Sequence, residues 1–190
     1  MQNENETKER KTRLGFIGYL ETDRAYRGGI LVTDEWGKPM EFRCTAAVRP
    51  NPVQRTLYGQ TLLPHIAVEL IGAPLLRVVQ EKPEVVIIAD EIFFDVRRHS
   101  DAPVTRLRRQ GEQVTVSDRS DGATPAPIVM DSSSGKFQPL VMETHREFPG
   151  DSASCRERLN ELFGRWDLIE PFDRLTKALE YVQEQKVLES

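Results

Sequence analysis

Cysteine and histidine are scarce in this chain, two and three respectively among 190 residues. Cys44 and Cys155 lie far apart, and neither joins a CxxC or Cys/His spacing able to close a zinc site. Such usage is that of a reduced, cytoplasmic protein and excludes a disulfide-stapled scaffold. No apolar run approaches the ~18 residues needed to span a bilayer. The polar start MQNENETKERKTR lacks the apolar segment of a signal peptide. Phosphate-cradling loops are missing too: RGGILVTD and SSSGK supply glycines without a GxGxxG or GxxxxGK[ST] frame. There is no G-x-S-x-G elbow and no cofactor fingerprint. Positive charge is not in excess, and the net charge of −4 argues against wholesale binding to nucleic acid or anionic membrane while leaving room for a local basic patch.

What is present is a chain with 38% hydrophobic and 29% charged residues, enough to bury one core beneath a wet surface. Residues 1–12 carry no hydrophobic pattern and read as a disordered tail. Residues 13–109 read as an α/β core. RLGFIGYLE is a strand, and residues 28–47 form a hairpin in which Met40, Phe42 and Cys44 alternate with polar neighbours, placing Cys44 on the apolar face. A helical region follows, opened by Asn51-Pro52 and bent or split by Pro64 and Pro74. Val85, Val86, Ile87 and Ile88 form an uninterrupted block suited to a central strand covered on both faces. Residues 110–136 are rich in Ser, Asp, Gly and Pro and read as a flexible polar loop, with APIVM a short strand inside it. Residues 137–190 supply a last strand and two helices. Ser154 and Glu157 have the spacing of a capping box for the first, and Leu168, Phe172, Leu175, Leu179 and Val182 form the stripe of the second.

Residues 91–98 admit two conformations. As a strand they would hold Glu91 and Asp95 about 13 Å apart, too far to chelate one ion. As a helix they place Asp90 at the N-cap, Glu91 in the first turn and Arg97, Arg98 and His99 in the last, which complements the helix dipole, and the helix is the preferred reading. Asp90 and Glu91 also follow a strand read as parallel, and ligands of open α/β sheets gather beyond such strand ends. They are therefore the candidate acid groups, with His145 in METHREFPGD the candidate histidine. A Cys44–His145 nucleophile pair can be drawn, but a thiol on an apolar face is inert. No acidic motif supports a metal. Arg97, Arg98, Arg106, Arg108 and Arg109 form the basic segment, able to meet phosphates or an acidic partner.

These readings amount to an α/β or mixed α+β fold with an N-terminal hairpin region, a bent central helix, a small mixed sheet and two C-terminal helices packing on the core. The leading functional expectation is a non-catalytic cytoplasmic adaptor that contacts a protein partner through residues 97–109 and the last helix. The alternative is an enzyme acting on a phosphorylated or nucleic-acid substrate, with Asp90 and Glu91 as acid or metal groups and the arginines as phosphate clamps.

Overall fold

The structure, a computed structural model, describes residues 12–112 and 126–188. The expected N-terminal tail lies outside the described residues except for residue 12, as does the middle of the expected polar loop. The fold is mixed α/β, built on a seven-stranded mixed sheet. Its strands are β1 (Leu14–Thr22), β2 (Ala25–Thr33), β3 (Pro39–Cys44), β4 (Val85–Ile88), β5 (Val104–Arg109), β6 (Ile128–Met130) and β7 (Leu140–Thr144). They run in the order β3-β2-β1-β4-β5-β7-β6, with β1, β4 and β5 parallel and the remaining pairs antiparallel.

All four residues of β4 are buried because helices cover both faces of the sheet. Val85 and Ile87 point into a core shared with α4 (Gly150–Phe163) and α5 (Glu170–Leu188). Val86 and Ile88 point into the opposite core, under the helical region that begins at α1 (Pro52–Tyr58). That region is split as the prolines require. It passes through α2 (Leu62–His65) and a π-helical stretch, Ile66–Gly72, into α3 (Ala73–Val78), with Pro74 in the first turn of α3. Against the expectation that no run is long and apolar enough to cross a membrane, Pro52–Val78 meets that test by length and composition, because its split pieces continue one into the next; Ile66, Ile71 and Leu75 are buried in the helix–sheet core. Two glycines let the layers close. A Cβ at Gly28 would fall 2.0 Å from Ile71 Cγ2, and one at Gly72 would fall 2.1 Å from Val96 Cγ2.

Three local expectations change. β3 is an edge strand with no buried residue, so Met40 and Phe42 are exposed and Cys44 is only partly buried. The fully buried thiol is Cys155, whose pKa burial pushes up to about 12. The capping box at Ser154 does not form, because α4 already begins at Gly150. The buried Asp151 side chain, held by Arg97 and the Val104 amide, draws the chain into its first helical turn ahead of Ser154. Within the expected loop the described residues form β6 and a turn closed by Gly135 N–H donating to Ser132 C=O. The apolar stripe expected of the last helix is spent inside the molecule: Leu168, just ahead of α5, and Phe172, Leu175 and Leu179 on it are buried in the core with Phe16 and Leu31.

Gly28→Ala should destabilise the protein by about 1–3 kcal/mol through overpacking. Chemical denaturation of Gly28→Ala, Ile71→Ala and the double variant should show a double-variant loss smaller than the sum of the single losses, because Ile71→Ala removes the clashing methyl. Strict additivity would contradict the close approach. Thiol titration of the native protein should modify Cys44 and spare Cys155, both reacting once the chain is denatured.

Candidate functional site

After β1 the chain turns to β2 on one side, then returns through the helical region to β4 on the other. The carboxyl ends of β1 and β4 therefore diverge at a topological switch point, where ligand sites of open α/β sheets form. The register Ile17↔Ile88, carried two residues on, puts Tyr19 beside Asp90 on the helix-covered face. The Tyr19 ring stands 5.9 Å from Phe93 and 6.2 Å from Tyr26. Burial, reinforced by the charges of Asp90 and Glu21, holds the Tyr19 phenol above its ordinary pKa, so it is a neutral hydroxyl at pH 7.

Asp90 is extended and accepts a hydrogen bond from Ile92 N–H at 3.0 Å, so it caps a 3₁₀ helix spanning Glu91–His99. The preferred helical reading of 91–98 thus holds in a tighter form. Residues three apart eclipse one another in such a helix. Glu91, Phe94 and Arg97 accordingly share a stripe and meet Arg106, His145 and Asp151 in turn. Phe93 and Val96, one turn apart, are buried in the helix–sheet core.

The first contact lies at the strand ends. Glu91 Oε2 is 3.6 Å from Arg106 Nη1. Arg106 also donates to the carbonyl of Ala89 and to Glu143, its cross-strand neighbour on β7, both at 3.4 Å. Arg108 shares the same Glu143 carboxylate. Sequence reading passed over Glu143 because only the β5–β7 pairing brings it between the two arginines. Asp90, Glu91, Arg106 and Arg108 therefore lie along one edge of the sheet.

His145 belongs to a separate cluster. Its Nδ1 accepts from Glu147 N–H at 3.1 Å, which leaves the proton on Nε2 to bond Asp95 Oδ1, also at 3.1 Å. Arg98 pairs with both Asp95 and Glu147. Beneath it, Arg97 makes a two-pronged pair with buried Asp151 at 2.6 and 3.2 Å and lies 4.3 Å over the Phe148 ring. Arg109 pairs with Asp167 at 2.7 Å. His145 is thus not brought to Asp90 and Glu91. It is also far from Cys44: β3 and β7 are separated by four strands, roughly 24 Å at ~4.8 Å per strand. The other histidines serve elsewhere, His99 against Glu69 at 3.3 Å and His65 beside the Tyr58 ring at 4.9 Å. Clefts of about 610 Å³, between β6 and α4, and about 140 Å³, beside α1 and α2, include none of the candidate acids or His145. Among the described residues, no three His, Cys, Asp or Glu side chains are grouped to hold a metal ion.

Removing one side of the Arg97–Asp151 pair leaves a buried charge without its partner. Asp151→Asn should therefore cost on the order of 3–5 kcal/mol in chemical denaturation, whereas Arg97→Met/Asp151→Leu should cost clearly less. Equal losses in the two variants would contradict the pairing.

No protein-family model matches the chain, and no curated protein matches it in sequence. Its fold does match solved structures. The endonuclease V of Streptomyces avermitilis superposes with a TM-score of 0.55 at 10% identity, covering 93% of this chain and 83% of that one. The endonuclease V of Bacillus subtilis gives a TM-score of 0.50 at 12% identity, with the same coverage of 93% and 83%. These likenesses overturn the expectation of a non-catalytic adaptor: over nearly its whole length the chain is built on a fold found in nucleases. The apolar stripe assigned to the adaptor's last helix is also spent inside the molecule, in the core beside Phe16 and Leu31. The chain thus shares its fold with endonuclease V enzymes.

Proposed function

We propose that this protein acts on nucleic acid, meeting the phosphodiester backbone where the carboxyl ends of β1 and β4 diverge. The observation that carries the proposal is the endonuclease V-type fold across 93% of the chain. The chemistry of the edge supports it. Arg106 and Arg108 present planar donors suited to phosphate oxygens, and Glu143 and Glu91 hold them in place. Glu91, beside Arg106 at the strand end, is the carboxylate given the role of accepting a proton from an attacking water.

Nucleases commonly use carboxylates to clamp divalent ions around the reacting phosphate. This edge is poorly suited to that arrangement, since Asp90 Oδ1 is bonded to the Ile92 amide and Glu91 faces Arg106. The proposed roles therefore rest on the chain's own groups: arginines for binding, Glu91 for proton transfer and Asp90 for holding the 3₁₀ helix that carries Glu91.

Labelled single- and double-stranded DNA and RNA test the proposal, with binding followed across salt concentrations and cleavage followed with and without Mg²⁺. Binding should weaken as salt rises, and Arg106→Gln and Arg108→Gln should each lower the salt slope by about one. Glu91→Gln should cut cleavage by on the order of 100-fold while sparing affinity. Absence of binding to all four substrates would refute the proposal.

A further inference from the structure

We infer that two copies of this chain pair through β3, edge to edge, in an antiparallel ladder with its two-fold axis at Phe42. β3 is the outermost strand on its side of the sheet. Thr45 N–H donates to Gly28 C=O at 2.9 Å, and hydrogen-bonded pairs alternate along an antiparallel ladder. Residues 43 and 41 therefore turn their backbone groups inward to β2, while Phe42 and Cys44 turn theirs toward the open edge. No backbone partner among the described residues takes them. The side chains on this edge are also exposed and apolar: Met40 is 43% exposed and Phe42 36%.

The occupant is argued from the order of the residues. Read about Phe42, the segment Met40-Glu41-Phe42-Arg43-Cys44 is complementary to its own reverse. A two-fold at Phe42 sets each Phe42 against the second copy's Phe42 and each Glu41 against the second copy's Arg43, while Met40, at the bulge where the β2–β3 register shifts, lies alongside the second copy's Cys44. One face of the ladder becomes an apolar row and the other carries opposite charges directly across from each other, the pairings that stabilise neighbouring strands. Glu41 is already fixed, since its carboxylate accepts from Arg43 and from the Gln80 and Glu81 amides, so little side-chain freedom is lost on pairing. An edge strand protected only by charge would repel its own copy or present one sign. Here the charge order admits a second copy, and the contact is isologous, so it closes as a dimer.

Light scattering and sedimentation velocity on the full chain, across a wide concentration range, test this. The wild type should show a monomer–dimer equilibrium. Phe42→Lys, which sets two ammonium groups on the axis, and Arg43→Glu, which sets like charges across the ladder, should each raise the dimer dissociation constant roughly tenfold or more. Val53→Lys, at a residue 64% exposed on α1, should leave it unchanged. Both edge residues are exposed, so circular dichroism should show all three variants folded. A wild type that stays monomeric throughout, or a dimer that survives Phe42→Lys, would overturn the inference.

Discussion

The burial of β4 on both faces is the constraint on which the rest depends. Four consecutive β-branched residues can be removed from water only if one helical layer covers Val85 and Ile87 and another covers Val86 and Ile88. That requirement fixes the crossover from β3 through the bent helical region back to β1's free side. It also makes β1 and β4 parallel neighbours whose ends diverge. Gly28 and Gly72 are where the requirement is tightest, since the helical region reaches the sheet and the 3₁₀ helix only where no side chain intervenes. The position of Asp90 and Glu91 is therefore a consequence of core packing, since they follow Ala89 directly beyond the end of β4.

Electrostatics then ties the sheet's far half to that edge. The 3₁₀ helix projects one stripe onto three successive partners, Arg106, His145 and Asp151, so the loop after β4 is held against β5, β7 and α4 by polar contacts as much as by Phe93 and Val96. The same pairing leaves the arginines pre-positioned. The Arg106 guanidinium, held by two carboxylates at 3.4–3.6 Å, is loosely bound.

Much of this was legible in the sequence where the signal is local. The Val-Val-Ile-Ile block announced a central strand, Asn51-Pro52 a helix start, Pro64 and Pro74 its breaks, and Asp90 with Arg97, Arg98 and His99 a helix with complemented ends. What was not legible depends on residues distant in sequence. The partners of the arginines, Glu143, Asp151, Asp95 and Asp167, are supplied by other elements. Tyr19 gains its chemistry only from the β1–β4 register. The capping spacing at Ser154 was real as a local pattern but lost to the buried Asp151 contact, and the alternation in β3 indicated a strand without revealing that it lies at an edge. The adaptor reading failed for the same reason: an apolar stripe looks available in a sequence until the fold buries it.

The proposed function has nucleic acid meeting the protein at the carboxyl ends of β1, β4 and β5. Hydrogen exchange followed by mass spectrometry, with and without a short oligonucleotide, addresses it most directly. Added nucleic acid should slow exchange at Tyr19–Thr22, Ala89–Glu91 and Arg106–Arg109, and leave α5 and β3 unchanged. Protection confined to other surfaces, or none at saturating oligonucleotide, would contradict it.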